Sequence, residues 1–248
     1  MSKTNILGVN FDNVTPDTAA RRVCGFLDGG GSPRLVVTPN PEMVMAAQTD
    51  KDFRRILNTA DLCVPDGIGV VAASKILGGG LVCRVAGIEL VEATFQRLSQ
   101  EGRGCSVYLL GGKPGVARRA GLMLRRKYNA VSIAGTLDGY FGDDHAADIA
   151  AQIGSAAPDI LLVGLGFPKQ EKFIAAFKAV CRAKVSIGCG GSLDVFAGEV
   201  ARAPRLVRRL GLEWLYRLAK QPSRLGRMMA LPVFALLIIR DKFRRHKV

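Results

Sequence analysis

The sequence predicts an α/β fold: a mainly parallel sheet with helices on both faces, followed by a basic helical appendage. Three observations carry this. Short, continuously apolar runs alternate with segments of helical period, the pattern of parallel strands buried on both sides. The runs end in turns rich in Gly, Pro and Asn, and sheets of this kind bind ligands at the loops beyond the carboxyl ends of their strands. Charge is also unevenly spread. Residues 199–248 hold 13 Lys and Arg against 3 Asp and Glu, a surplus of +10 in a chain whose total is +14. The expected division is a core over residues 1–198 and an appendage over residues 199–248.

Asn5–Val9 and Leu35–Thr38 read as strands because each is a short apolar run. Pro16–Asp28 lies between them and reads as a helix, opening on a proline suited to a first helical turn. A second helix is expected over Pro41–Asn58. From there the alternation is regular: helix Gly87–Gln100, strand Ser106–Leu110, helix Val116–Lys127, strand Val131–Gly135. It continues as helix Ala146–Ser155, strand Ile160–Gly164, helix Lys169–Cys181 and strand Val185–Gly188. The loops to inspect for a ligand are then Thr38–Asn40, Gly111–Lys113, Gly164–Gln170 and Gly188–Ser192.

Composition narrows the function classes. Apolar residues make up 48% of the chain, enough for a sizeable core. Six cysteines are scattered without C-x-x-C spacing, and there are two histidines, His145 and His246. That pattern argues against a zinc site and for reduced, buried thiols of an intracellular protein. The opening MSKTNILGVNFDNVT lacks the apolar stretch of a signal peptide. The late apolar run Met228–Ile239 has 12 residues and contains Pro232, short of the ~20 that a spanning helix needs. Flanked by Arg224, Arg227, Arg240, Lys242, Arg244 and Arg245, it suits a membrane interface. A basic tail fits anionic partners, whether lipid, phosphate or nucleic acid. No nucleic-acid recognition motif accompanies it, and Trp214 and Tyr216 read as packing or interface anchors.

Five segments carry candidate chemistry. Pro65-Asp66-Gly67 places an acid in a turn, where aspartate commonly serves the turn or caps a helix. Its company sharpens the reading. Thr38 and Asn40, in TPNPE, and Arg84 downstream supply a hydroxyl, an amide and a cation. Together with Asp66 they suit deprotonation of a sugar hydroxyl while a phosphorylated group leaves. VYLLGGKPGVARRA is strand, glycine turn and helix; Gly111 and Gly112 either offer backbone N–H groups to an anion or make a tight connection. It matches neither common nucleotide fingerprint. In DILLVGLGFPKQEKFI, Gly166 and Gln170 follow a buried strand. Gln170 can bond a sugar or pyrophosphate, whereas Lys169, Glu171 and Lys172 read as a solvated helix face. SIGCGGSLDVFAGEVARAP holds Gly190 and Gly191, which permit close backbone approach. Asp194 there reads either as a helix-start residue or as a contact to a ribose or base. Arg217, Lys220, Arg224 and Arg227 share one stripe of an ideal helix, which Pro222 interrupts. They either face lipid or clamp phosphates.

Taken together, TPNPEMVMAAQTDKDFRRILNTADLCVPDGIGVVAASK, RVAGIEL, VYLLGGKPGVA, GTLDGYF, LLVGLGFPKQEKFI, GGSLDVFAGEVARAP and GLEWLYRLAKQPSRLGRMMALP resemble the WecG/TagA/CpsF family of glycosyltransferases. The resemblance runs from Ile6 to Phe243 and is closest to the TagA-type branch. It implies a Rossmann-like core and an inverting, metal-independent transfer of N-acetylmannosamine. The implied donor is UDP-N-acetylmannosamine, and the acceptor is the 4-hydroxyl of N-acetylglucosamine on undecaprenyl diphosphate. The implied product is a β-1,4-linked lipid disaccharide for wall teichoic acid or a related polysaccharide. By position Asp66 matches the family's general base, and Thr38, Asn40, Arg84 and Gln170 match other active-site positions. Arg217, Arg224 and Arg227 match appendage arginines that grip the lipid-linked diphosphate. The resemblance also implies docking on the cytoplasmic face of the membrane, an oligomer that dissociates there, and no cofactor.

The residues and the resemblance agree on the chemistry. Inversion needs a base on the acceptor side and stabilisation of the departing UDP, and no DXD-like acidic pair ends a strand. Other donors stay open, namely UDP-glucose or UDP-N-acetylmannosaminuronic acid, with Lys113 or Lys169 as the cation a uronate would need. A basic binding module is the alternative of another class. A dehydrogenase is disfavoured by the missing glycine fingerprint.

Overall fold

The computed structural model describes residues 3–29, 31–209, 211–220 and 225–245. An antiparallel hairpin of β1 (Lys3–Ile6) and β2 (Val9–Asp12) precedes helix α1 (Pro16–Asp28). The main sheet comprises β3 (Arg34–Val37), β4 (Leu62–Cys63), β5 (Cys105–Gly111), β6 (Val131–Leu137), β7 (Ile160–Gly164) and β8 (Val185–Gly188). Its order is β4-β3-β8-β7-β5-β6, with neighbouring strands parallel throughout. The remaining core helices are α2 (Pro41–Thr49), α3 (Lys51–Thr59), α4 (Ile68–Ile76), α5 (Gly87–Gln100), α6 (Val116–Lys127), α7 (Ala146–Ala156), α8 (Lys169–Cys181) and α9 (Ser192–Phe196). The carboxyl-terminal segment adds α10 (Arg205–Arg209), α11 (Glu213–Lys220), α12 (Leu225–Met228) and α13 (Ala230–Arg245).

Strand alternation sorts the core into two layers. Tyr108 and Leu110 of β5 and Leu161 and Val163 of β7 face a layer built with α2, α3, α4, α7, α8 and the hairpin. Val107 and Leu109 of β5 and Ile160 and Leu162 of β7 face the opposite layer, built with α1, α5, α6 and α9. Both faces are covered, which is why the strands read as continuous apolar runs rather than as alternating ones. The expected doubly covered parallel sheet is therefore the observed one. Cys24, Cys63, Cys105, Cys181 and Cys189 are buried, Cys83 is half-buried, and all are free thiols.

Three local features differ from the sequence expectation. The run Asn5–Val9 is not one strand; it straddles a tight turn in which Leu7 and Gly8 both take positive φ (48° and 84°). The expected helix Pro41–Asn58 breaks at Asp50, whose N–H closes α2 on the Ala46 carbonyl while its carboxylate accepts the Phe53 N–H at 2.8 Å to start α3. Lys172 donates to the same carboxylate at 2.6 Å, and these bonds, with that of Lys172 the strongest, hold it below the usual carboxylate range. The β4–α4 unit has a strand of two residues, too short to carry any period.

The basic tail is bound to the core. α13 packs against α2 and α4 and buries Phe234 and Ile238, one helical turn apart, in the hairpin-side layer. Pro232 falls in the first turn of α13, where the N–H it lacks has no intrahelical acceptor anyway. The apolar run expected to face lipid is thus divided: Met228, Phe234 and Ile238 are buried, while Val233, Leu236, Ile239 and, beyond it, Phe243 are exposed. No helix among the described residues is long and apolar enough to cross a membrane.

Candidate active site

β4, β3 and β8 are adjacent and parallel, so the loops after them share one edge of the sheet. Thr38 follows β3 and is buried; its Oγ1 donates to the Gly188 carbonyl at 3.4 Å. Asn40 caps α2, its Oδ1 accepting the Met43 N–H at 3.0 Å. The capping bond occupies the carbonyl end of the side chain, and the two N–H donors at the other end are not part of it.

Asp66 follows β4 and is half-buried. The loop is stitched to its neighbour by Val64 N–H to the Val37 carbonyl at 2.9 Å and by Asp66 N–H to the Pro39 carbonyl at 3.0 Å. The Asp66 carboxylate accepts a long contact, 3.5 Å, from the N–H of Gly87, the first residue of α5. A helix amino terminus favours negative charge there. Gly87 also packs against the Thr38 hydroxyl, so Thr38 and Asp66 meet across it.

Arg84 lies beside this cluster but is not bare. Its guanidinium donates to Glu213 Oε2 at 3.1 Å and to Glu89 Oε1 at 3.2 Å. Burial works against its charge; the carboxylates of Glu89, then Asp66 and Glu213, outweigh it and raise its pKa above the ordinary guanidinium value. Glu89 is itself shared, receiving Arg202 at 2.5 Å and Arg208 at 3.4 Å. Glu213 opens α11, so this ion-pair network ties the basic segment to the residues around Asp66.

Gln170 sits in the first turn of α8, 4% exposed. Its Oε1 accepts the Gly190 N–H at 3.1 Å and its Nε2 donates to Glu171 Oε1 at 2.7 Å. Gly188 allows this: a β-carbon there would stand 2.8 Å from Gln170 Nε2 and 3.1 Å from Glu171 Oε1. Thr38, Gly188, Gln170 and Gly190 therefore form one connected set at the end of β8.

The expected glycines cluster next to it. Gly112 N–H donates to the Gly164 carbonyl at 3.3 Å, and a β-carbon at Gly111 would come within 2.4 Å of the same oxygen. Only glycine lets β5 and β7 end that close together. Gly166 and Gly190 have open space where a side chain would project. Asp194 lies in the first turn of α9, and its backbone carbonyl accepts from Glu199 at 2.9 Å and Val200 at 3.3 Å. Of the two lysines considered for a uronate, Lys169 points to the Phe141 carbonyl and ring and toward Asp143. Arg217 and Arg227 are on α11 and α12; their side chains, and Arg224 altogether, lie outside the described residues.

One residue beside the candidate site differs from the sequence expectation. Glu171, read as part of a solvated helix face, is 0% exposed. Burial, partly offset by the bond from Gln170, pushes its carboxyl up to about 7. A signal was present: Glu171 stands three residues before Ile174 and ten before Cys181, on the buried stripe of α8. Its linkage has a definite sign. The folded pKa lies above the unfolded one, so the stability it contributes is full below about 4.5, falls through the interval, and is lost above about 7. Glu171→Gln should therefore gain about 2 kcal/mol relative to the parent between denaturant titrations near pH 5 and near pH 8. An unchanged difference would mean that Glu171 ionises as readily in the folded chain as in the unfolded one.

Comparison with known proteins identifies the family of the chain. The family model described as "Glycosyl transferase WecG/TagA/CpsF family" matches residues 4–248. A Bacillus subtilis (strain 168) protein named N-acetylglucosaminyldiphosphoundecaprenol N-acetyl-beta-D-mannosaminyltransferase is 38% identical over 208 residues, 84% of this chain and 80% of that protein. A Staphylococcus aureus (strain MRSA252) protein of the same name is 36% identical over 242 residues, 97% of this chain and 94% of that protein. The chain belongs to the WecG/TagA/CpsF family of glycosyl transferases and is an enzyme that transfers a sugar.

Proposed function

We propose that this enzyme moves N-acetylmannosamine from UDP-N-acetylmannosamine to the 4-hydroxyl of N-acetylglucosamine on undecaprenyl diphosphate, with inversion and without a metal. The observation that carries the reading is the placement of Asp66. A half-buried carboxylate stands at the sheet edge, against the α5 amino terminus and beside Arg84 and Thr38. In the proposed step the Asp66 carboxylate takes the acceptor hydroxyl's proton as that oxygen attacks the anomeric carbon. The bond from that carbon to the diphosphate breaks, and UDP departs with the electron pair. The glycine ends of β5, β7 and β8 (Gly111, Gly112, Gly166, Gly190 and Gly191) offer a side-chain-free shelf for the donor, with Asp194 at its rim. Arg217, Arg224 and Arg227 are proposed to hold the acceptor's diphosphate when the basic segment closes. The names of the relatives support the sugar and the lipid acceptor.

Single displacement fixes the stereochemistry. The product from UDP-N-acetylmannosamine and a short-chain lipid-diphosphate N-acetylglucosamine should show a β-linkage by NMR. An α-linked product would exclude Asp66 as the base of a direct displacement.

The acceptor's lipid calls for a membrane surface, and we assign that role to the exposed face of α13. Val233, Leu236, Ile239 and Phe243 project there beside the exposed Arg240 and Arg244. Each well-placed basic residue adds about 1 kcal/mol of attraction to an anionic surface. Co-sedimentation with phosphatidylglycerol vesicles should fall at high salt and in Leu236→Glu. Equal pelleting of Leu236→Glu and the parent would remove this face as the docking surface.

A further inference from the structure

We propose that Glu171 is a positioning residue for sugar transfer: its carboxyl fixes which way the Gln170 amide points and thereby sets the Gly188–Gly190 turn in the site. The proposal rests on the reading that the β3–β8 edge is where transfer takes place.

A primary amide has two ends of nearly equal shape and opposite hydrogen-bonding character. Gln170 meets the Gly190 N–H on one side and Glu171 Oε1 on the other, at 3.1 Å and 2.7 Å. The Gly190 N–H can only donate, so it selects the amide oxygen. Glu171 Oε1 accepts, so it selects the amide nitrogen. The two contacts therefore enforce the same orientation. Without the Glu171 acceptor, one bond of 3.1 Å would be left to orient the side chain that holds the Gly190 N–H, while the backbone bond from Cys189 N–H to the Val163 carbonyl anchors only the residue before it.

Keeping an acid in this place is costly. Glu171 is fully buried, and its Oε2 has no hydrogen-bond partner among the described residues. Such a group destabilises a fold, and its presence calls for a reason other than stability. Gly188 gives a second sign that the pair is built in, because any side chain there would collide with it. The same Gly188 accepts the Thr38 hydroxyl through its carbonyl. An error in the Gln170 amide is thus passed to Gly190 through one bond and to the Thr38 side through the backbone of β8. Glu171 needs no contact with substrate to matter here.

The test uses the full chain with three variants: Glu171→Gln, which keeps an acceptor; Glu171→Met, which keeps the size and removes it; and Gln170→Ala as a background. Transfer to a short-chain lipid-diphosphate N-acetylglucosamine gives kcat and KM. The side-chain amide signal of Gln170, followed by 15N NMR, reports its orientation whether or not sugar is transferred. Glu171→Met is expected to lower kcat by about 10- to 100-fold, the cost of a misplaced site group, with KM nearly unchanged. Glu171→Gln should restore kcat to within about threefold of the parent, and Glu171→Met should change little in the Gln170→Ala background, as expected of residues acting as one unit. The Gln170 amide signal should move in Glu171→Met and stay in Glu171→Gln.

An unmoved amide signal in Glu171→Met overturns the proposal, as does a full loss of kcat that persists in the Gln170→Ala background. Equal losses in the Gln and Met variants would assign the effect to charge or packing instead. If the amide signal moves as expected while kcat is untouched, the positioning of Gln170 stands and the reading of this edge as the transfer site fails.

Discussion

Asp66→Asn is expected to lower turnover by about 10²- to 10⁴-fold, the span of a lost general base. The exchange is nearly isosteric. The amide oxygen can still accept the Gly87 N–H now at 3.5 Å from the carboxylate, and the backbone bond to Pro39 is untouched. The unfolding free energy should therefore change by no more than about 1 kcal/mol, the worth of one partly exposed charge. An amide cannot take the acceptor's proton at neutral pH, so the loss should appear in kcat. Normal turnover in a folded Asp66→Asn protein would return Asp66 to the role of turn-former.

Phe234→Ala is expected to destabilise the protein by about 3–5 kcal/mol, the usual cost of emptying a buried phenylalanine site. Phe234 is 5% exposed and packs with Ile238 into the layer that holds α2 and α4. Leu236→Ala, on the opposite face of the same helix, should change stability by under about 0.5 kcal/mol. Urea titration of the two variants decides whether α13 is seated on the core; equal small effects would unseat it. The contrast also bears on truncation. Cutting residues 199–248 removes core packing together with the surface proposed to face lipid, so activity lost that way does not separate the two roles. Point changes on one face or the other do.

Much of this molecule is legible in the sequence because its strands and helices are long enough to carry a period. Helices α1, α5, α6 and α8 begin and end where their apolar spacing and flanking turns place them. Elements governed by single residues are harder to read. One carboxylate, that of Asp50, divides a continuous helical pattern, and a positive φ at Leu7 folds an apolar run into a hairpin. The expected site residues Thr38, Asn40, Asp66, Arg84 and Gln170 lie on loops and helix starts around one sheet edge. Their partners were not legible. Glu89 and Glu213 hold Arg84 from sequence separations of 5 and 129 residues, and no local pattern reports the second. Glu171 was readable in principle, since it shares the stripe of Ile174, but its charge masks it among Lys169 and Lys172. The tail misled for a related reason: its apolar residues serve two faces of one helix, and composition does not distinguish them.

The most direct measurement is transfer from a panel of UDP-sugars to a short-chain lipid-diphosphate N-acetylglucosamine with EDTA present. Turnover with UDP-N-acetylmannosamine, undiminished by EDTA and abolished in Asp66→Asn, is the predicted result. Turnover that requires a divalent metal, or that uses only another UDP-sugar, would contradict it.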